Sequence, residues 1–216
     1  MKIVLIGATG FVGNAVMKEA LYRGNEVTVI VRDPGKLSPQ KNLKIVQGDV
    51  FDTNHLAELL KGNDVVISAY NAGWTNPDLY NEFIEGSESI QEAVKKSGVK
   101  RLIVNGGAGS LFVEPGVQVI DTPEFPDAFK AGAGAARDYL DILKKEDHLD
   151  WTFVSPAIEM NPGTKHGRTG HYRTGLDHPV FDKNNHSTIS VEDLAVAILD
   201  EAERPAHFRV RFTVGY

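Results

Sequence analysis

The sequence predicts an α/β fold with a doubly wound, mostly parallel sheet of about seven strands and helices on both faces. Short runs rich in Val and Ile alternate along the 216 residues with longer segments whose apolar residues recur at helical spacing. The first apolar run, residues 2–6, is joined to the first helical segment by a glycine-rich turn. Alternation of this kind builds parallel strands that are connected by crossover helices.

Each element follows from its own local pattern. Apolar runs of strand length predict strands over residues 2–6, 26–31, 43–47, 64–68, 100–104, 150–155 and 208–214. Helical spacing predicts helices over residues 11–23, from 52 or 53 to about 60, from 76 or 77 to 97, about 126–145 and 190–203. Gly98 should stop the third helix, Pro126 suits the first turn of the fourth, and Ser190 should cap the fifth. Gly132 and Gly134 should weaken the fourth helix by about 1 kcal/mol each.

Two segments lack a clear period. Residues 111–125 contain prolines and are expected to form a surface loop near the site. Residues 157–188 are polar and contain several glycines, which predicts a small lid on the substrate side. The whole chain, residues 1–216, is predicted to form one domain with that lid.

Composition excludes several classes of function. The net charge of −6 gives no support for nucleic acid or an anionic membrane as a partner. The absence of cysteine excludes disulfides, thiolate zinc sites and cysteine nucleophiles, and it fits a cytoplasmic location. No apolar run approaches the roughly 18 residues of a membrane span, and we expect no targeting segment.

The glycine-rich turn Gly-Ala-Thr-Gly-Phe-Val-Gly at residues 7–13 predicts a site for the pyrophosphate of a dinucleotide. The first glycine allows the tight turn, the second lets the backbone approach the phosphates, and the third lets the helix pack closely. The amides that open the next helix attract an anion without a basic side chain. The residues expected to bind here are Gly7, Thr9, Gly10, Phe11, Val12 and Gly13.

The ends of the second and third strands should bind the adenosine half. Arg32 stands about 20 residues beyond the glycine turn, where an arginine suits the 2′-phosphate of NADP and a carboxylate suits the ribose of NAD. Arg32 therefore favours NADP(H) over NAD(H), although the adjacent Asp33 argues for NAD and a solvated strand-end charge is the alternative. Asp49 and Val50 are expected beside the adenine, with an ordinary Gly-Asp turn as the alternative.

The loops after the fourth and fifth strands should line the nicotinamide half, because ligands of open α/β sheets lie beyond the carboxyl ends of the strands. We expect Ser68, Ala69 and Tyr70 in the first loop and Gly106 and Gly107 in the second to contact the cofactor. The alternative for Tyr70, and for Trp74 after it, is packing within the loop.

Taken together, the motifs resemble those of the atypical short-chain dehydrogenases/reductases over nearly the whole chain. The branch it resembles includes proposed NADH-flavin reductases, biliverdin-reductase-B-like enzymes and NmrA-like NAD(P) sensors. The matching motifs lie at residues 7–13, 31–34, 48–50, 105–110, 155–157 and 189–195. The resemblance implies an NAD(P)-binding Rossmann fold.

One motif of the larger family is missing. That family uses a tyrosine as general acid with a lysine four residues later, but no tyrosine of this chain has a lysine there. Phe129 and Lys130 stand at the start of the helix that should carry the pair. Lys130 and Ser110 are therefore the candidate catalytic residues, with an exposed helix lysine and a loop-capping serine as the alternatives.

A metal site is not predicted, because His166, His171, His178 and His186 have no repeated ligand spacing. His171 and Tyr172 are candidates to reach a substrate from the lid. No serine stands in the Gly-x-Ser-x-Gly turn of hydrolase nucleophiles.

Three hypotheses of function follow. The first is an NADPH-preferring reductase that passes hydride to a flavin, a quinone or a similar small planar acceptor, because such acceptors need little acid catalysis. The second is a redox sensor that binds NAD(P) and signals to a protein partner without turnover. The third, an epimerase or dehydratase, is disfavoured by the missing tyrosine.

Overall fold

The computed structural model describes residues 1–164 and 167–216. The strands found there are β1 (Lys2–Ile6), β2 (Glu26–Val31), β3 (Leu43–Gln47), β4 (Val65–Ser68), β5 (Arg101–Asn105), β6 (Phe112–Glu114), β7 (Val117–Gln118), β8 (Asp150–Ser155), β9 (Arg173–Gly175) and β10 (Val210–Gly215). The α-helices found there are α1 (Phe11–Tyr22), α2 (Thr53–Leu60), α3 (Leu79–Ser97), α4 (Asp127–Leu143) and α5 (Val191–Glu203).

The main sheet has eight strands in the order β3-β2-β1-β4-β5-β8-β10-β9. All neighbours pair in parallel except β9, which runs antiparallel to β10 at the edge. The strand order reverses direction between β1 and β4, which is the point where open α/β sheets bind their ligands. The predicted α/β fold with its parallel sheet is confirmed, and β9 is an additional strand.

Alternation along the strands creates two apolar layers. Ile3 and Leu5 face α1 and α5 on one side of the sheet, whereas Val4 and Ile6 face α2, α3 and α4 on the other. All four side chains are at most 2% exposed. The crevice at the carboxyl ends of β1, β4 and β5 therefore lies between two packed helical layers.

The predicted helix ends are largely confirmed. Asp52 accepts a hydrogen bond from the amide of His55 at 3.0 Å, and the hydroxyl of Ser190 accepts one from the amide of Asp193 at 3.1 Å. Gly98 ends α3 in the left-handed conformation, at φ 82°. Pro126 precedes the first residue of α4 instead of lying in its first turn.

The expectation of a simple surface loop over residues 111–125 was wrong. Strands β6 and β7 form a hairpin in this segment, and Leu111, Val119 and Ile120 are buried. The hairpin is bonded to the body of the protein, because the amide of Phe112 donates to the carbonyl of Asp177 at 2.8 Å. Strands of two and three residues are too short to produce a readable apolar period.

None of the helices in the described part of the chain combines the length and the apolar character needed to cross a membrane.

Candidate active site

The glycine turn between β1 and α1 is shaped by close backbone contacts. Gly7 adopts φ 87°, and a Cβ atom there would lie 2.3 Å from the carbonyl oxygen of Ala69 in the loop after β4. A Cβ atom on Gly13 would lie 2.0 Å from the carbonyl oxygen of Gly7. Gly7 and Gly13 are thus required by the protein's own packing, which holds the turn between the two strands.

Gly10 is different, because its backbone is extended at φ −82° and a Cβ atom there would meet only the oxygen of Gly7, at 3.3 Å. Its missing side chain mainly leaves open space over the start of α1. Thr9, Gly10 and Phe11 are exposed there, and the first turn of α1 contains no acidic residue. The free amides and the positive end of the helix dipole fit a dinucleotide diphosphate.

Arg32 and Asp49 follow the carboxyl ends of the paired strands β2 and β3. Arg32 is exposed, and its guanidinium lies near enough to Tyr70 to act on the pKa of that phenol, as does the carboxylate of Asp49. The carboxylate of Asp33 instead accepts from the amide of Gly35 at 3.0 Å, within its own turn. Asp33 is thus engaged within its own turn, and Arg32 remains an exposed cation just beyond the end of β2.

Asp49 and Val50, which were predicted to lie beside the adenine, both make contacts within the protein. The carboxylate of Asp49 accepts from the amide of Phe51 at 3.0 Å, which is the local turn bond that the sequence left open as an alternative. Val50 is half-buried against the apolar layer of α2 and α3, and its carbonyl accepts from the hydroxyl of Ser89 at 2.5 Å. A Cβ atom on Gly48 would lie 2.7 Å from the side chain of Ile30.

The loop after β4 is fixed against both neighbours. The amide of Ala69 donates to the carbonyl of Ile6 at 2.9 Å, and Ser68 is buried. The hydroxyl of Tyr70 donates to the carbonyl of Glu82 at 3.0 Å. Gly86 in α3 makes room for this ring, since a Cβ atom there would lie 2.6 Å from it.

Tyr70 consequently packs on α3, and its contact with a cofactor stays a prediction. Burial, followed by the charge of Glu82, raises the pKa of the Tyr70 phenol to about 12. The phenol therefore stays protonated at neutral pH and is a poor proton donor.

The loop after β5 abuts α4. A Cβ atom on Gly106 would lie 1.9 Å from the ring of Phe153, and one on Gly107 would lie 3.6 Å from the Cβ atom of Ala136. One on Gly109 would lie 3.0 Å from the Cβ atom of Ala133. The first half of α4 is thus one wall of the crevice.

Ser110 is buried, at 3% exposed, and its hydroxyl accepts from the guanidinium of Arg211 at 3.1 Å. Arg211 also donates to Asp177 at 2.5 Å. This network joins the loop after β5 to the segment predicted as a lid, so Ser110 helps to hold that loop, and its catalytic role stays a prediction.

Lys130 lies in the first turn of α4 with a half-exposed side chain, and its Nζ atom is 2.6 Å from Asp127. Lys130 also lines an open cavity of about 600 Å³ together with Tyr80, Ile120 and Arg137. The structure thus puts Lys130 on the α4 wall and Ser110 beneath the neighbouring loop.

Sequence reasoning missed two polar side chains at the same edge of the sheet. Oδ1 of Asn105 at the end of β5 and Oγ of Ser155 at the end of β8 are buried, and neither has a hydrogen-bond partner among the described residues. Polar residues that end two buried apolar strands were the available signal. Both belong to motifs that carried the family resemblance, but neither was assigned a role.

The segment predicted as a lid is bonded to the body at several points. The hydroxyl of Tyr172 donates to Asp200 at 2.7 Å, and Nδ1 of His178 lies 2.8 Å from the carbonyl oxygen of Phe112. His171 is exposed. The role of this segment as a lid stays a prediction.

Over residues 1–164 and 167–216, no group of three or more His, Asp or Glu side chains is arranged to hold a metal ion. His166, which was considered in that context, lies outside the described residues.

Residues 7–205 match the model of a family described as NAD(P)H-binding. The chain belongs to the NAD(P)H-binding family. It is 40% identical over 216 residues to the uncharacterized protein YwnB of Bacillus subtilis (strain 168), covering 99% of this chain and 98% of that one. These findings confirm NAD(P) as the cofactor class and the resemblance to atypical short-chain dehydrogenases.

Two solved structures of similar proteins match the whole chain. A proposed epimerase from Bacteroides thetaiotaomicron has a TM-score of 0.91 and 46% identity, with 100% of this chain and 96% of that chain covered. A proposed NADH-flavin reductase from Streptococcus pneumoniae TIGR4 has a TM-score of 0.85 and 34% identity, with 100% and 99% covered. The predicted class of NAD(P)H-dependent oxidoreductase is confirmed by this NAD(P)H-binding family and its neighbours.

Proposed function

We propose that this NAD(P)H-binding protein is an NADPH-dependent reductase whose acceptor is a flavin, a quinone or a similar planar molecule. The start of α4 carries the proposal. It forms a wall of the crevice, and it carries Phe129 and Lys130 in its first turn, where the resemblance implies the tyrosine acid of the larger family. A flavin or quinone accepts hydride readily. Its reduction therefore depends more on orientation and the exclusion of water than on an acid.

NADPH, when bound, would supply the hydride, and the chain would supply binding and orientation. The turn over residues 7–13 would hold the diphosphate through its amides. Arg32 would bind the 2′-phosphate, because Asp33 is turned away to the amide of Gly35. Lys130 would donate to the nicotinamide ribose or to the negative charge that develops on the acceptor.

Ser110 is the second proposed contact of the acceptor. Its hydroxyl is held by the buried guanidinium of Arg211 at 3.1 Å, so its own proton is free to point elsewhere. A small movement of the loop over residues 106–110 would be needed to expose it, since it is 3% exposed. We propose the cytoplasm as the location.

The two solved neighbours support different reactions. The name of the Streptococcus pneumoniae protein supports flavin reduction, and that of the Bacteroides thetaiotaomicron protein supports the epimerase alternative. The missing tyrosine and lysine pair favours the reductase, because epimerisation of an alcohol carbon needs a base and an acid at that carbon.

Anaerobic assays of NADPH consumption with riboflavin, FMN and menadione test the proposal. We expect many turnovers per protein, with NADPH preferred to NADH. Tight NADP binding without consumption of NADPH across this panel would refute the reductase and support the sensor. Interconversion of sugar nucleotides at a fixed cofactor level would support the epimerase.

A further inference from the structure

Two exposed aromatic rings stand together on the α4 wall of the crevice. Trp74 follows the loop after β4, and Phe129 lies in the first turn of α4. Their ring centroids are 5.5 Å apart and the ring planes are nearly perpendicular, at 81°. Trp74 is 59% exposed and Phe129 is 50% exposed. Large apolar rings left adjacent and open to solvent mark a binding surface more often than a single exposed ring does.

The chain is built to keep Trp74 in this position. Gly73 has φ 107°, and its amide donates to the side chain of Asn71 at 2.7 Å, which forms the turn that leads to Trp74. Gly132 lies beneath the indole, because a Cβ atom there would come within 2.8 Å of it. A glycine inside a helix costs about 1 kcal/mol relative to alanine. Gly132 therefore makes α4 less stable but leaves space for the ring of Trp74.

The pair is connected to both loops assigned to the nicotinamide half. One loop, over residues 68–73, runs directly into Trp74. The other abuts Ala133, one turn of α4 beyond Phe129, through Gly109. Lys130 follows Phe129 in the same turn. The rings are therefore continuous with the crevice and are not an isolated surface patch.

We propose that Trp74 and Phe129 form the binding platform for the planar ring system of the hydride acceptor, a neutral isoalloxazine or quinone ring. This inference rests on the proposed reductase function. A tricyclic or bicyclic ring offers two large π faces, and aromatic rings favour offset stacking and edge-to-face contact. The perpendicular pair offers both geometries, with Trp74 as the stacking partner. Lys130 stands beside the platform, where the carbonyl oxygens of such a ring would accept from it.

Binding of riboflavin to the NADP⁺-saturated protein tests the platform without requiring turnover. Riboflavin emission is expected to fall as the flavin stacks on the indole. The Kd should rise about 5- to 10-fold in Trp74→Ala and in Phe129→Ala, as expected for loss of one aromatic contact and part of its buried area. Trp74→Phe should recover most of the affinity. Phe208→Ala is the matched control, since Phe208 is also 50% exposed but precedes the amino end of β10, away from the carboxyl ends of the strands where the crevice lies.

A third variant moves the ring instead of removing it. Gly132→Ala should favour the helix while its new Cβ displaces the indole of Trp74. We expect a raised riboflavin Kd with an unchanged or higher thermal midpoint. This result separates the platform from a general loss of folding, and the NADP⁺ Kd of every variant should stay within about twofold of wild type.

Steady-state kinetics complete the test. KM for riboflavin and menadione should rise in the two alanine variants while KM for NADPH does not. Unchanged riboflavin Kd and KM in both variants would overturn the platform. Unchanged flavin binding with loss of a dimer in sedimentation would also overturn it, because the rings would then join two copies of the chain. Failure of the reductase proposal is distinguishable, since it appears as no turnover in the wild type whatever the binding result.

Discussion

At the scale of single residues, the proposed preference for NADPH depends on Arg32. It is an exposed cation at the end of β2 whose carbonyl, and not its guanidinium, is engaged by Gln47. We expect Arg32→Ala to weaken NADPH binding by about 1 to 3 kcal/mol and to leave NADH binding nearly unchanged. Calorimetric titration with both cofactors measures this difference.

Arg204→Ala is the control for Arg32, because the Arg204 side chain is 80% exposed and lies near Asp200 on α5. It should leave both affinities unchanged. Equal losses for NADPH and NADH in Arg32→Ala would contradict the 2′-phosphate contact.

Lys130 is the second residue whose role can be tested singly. Its ion pair with Asp127 does not prevent the proposed contact with the ribose or the acceptor. The two side chains are 53% and 90% exposed, and an ion pair this open contributes little. We expect Lys130→Ala to lower kcat with riboflavin about tenfold, the effect of one charge-assisted contact, while the NADPH Kd changes little.

Lys144→Ala is matched to Lys130→Ala, since Lys144 forms an equivalent pair with Asp141 on the same helix. Wild-type kinetics in both variants would return Lys130 to the role of an exposed helix lysine. A loss of kcat in both would indicate damage to α4 and not to the site.

At the scale of the element, the three glycines of the turn over residues 7–13 serve separable purposes. Gly13→Ala should lower the thermal midpoint of the apoprotein, because its Cβ would lie 2.0 Å from the oxygen of Gly7. Gly10→Ala should leave that midpoint nearly unchanged and weaken NADP⁺ binding, because its Cβ would project toward the diphosphate. Thermal scans with and without NADP⁺ compare the two, and a large loss of apoprotein stability in Gly10→Ala would contradict this division.

Individual elements differ in how well the sequence predicts them. Strands such as β1 and β2 were placed to the residue, because their apolar runs end at glycines and polar turns. The role of Gly132 could not be predicted from the sequence. A glycine within a helical pattern indicates only a weaker helix, and its contact with the indole of Trp74 depends on the folded structure. The packing of Tyr70 on α3 and the buried bond between Ser110 and Arg211 join residues far apart in the chain, and no local pattern encodes them.

At the scale of the whole molecule, three carboxylates join α1 and α5 to the segment after residue 166. Glu19 accepts from Arg168 at 2.7 Å, Asp200 from Tyr172 at 2.7 Å, and Asp193 from the hydroxyl of Thr169 at 2.6 Å. The hydrogen bond from Arg168 lowers the pKa of Glu19. Burial alone would raise the pKa of Asp193, but bonds from Thr169 and Tyr216 outweigh it and lower the pKa.

These lowered pKa values predict a loss of stability in acid. A carboxyl with a lower pKa in the folded protein than in the unfolded chain stabilises the fold above the unfolded value, and that contribution disappears as the pH falls through the folded value. The unfolded values are 4.5 for Glu19 and 3.8 for Asp193, so the free energy of unfolding should decline below about pH 4.5 and continue to fall below 3.8.

Urea unfolding from pH 7 to pH 3 tests this with Asp193→Asn, which keeps one acceptor but does not titrate. At neutral pH the variant should be less stable by about 1 to 3 kcal/mol, because several buried hydrogen bonds are weakened. The difference should begin to shrink as the pH falls below 3.8, since the carboxyl of the unfolded wild-type chain then takes up a proton while the folded carboxyl, with its lower pKa, still resists protonation. Asp141→Asn, at an exposed ion pair on α4, should differ only slightly from wild type in its free energy of unfolding at neutral pH. If the difference in the free energy of unfolding between wild type and Asp193→Asn stayed constant from pH 7 to pH 3, protonation of Asp193 would not contribute to the loss of stability in acid.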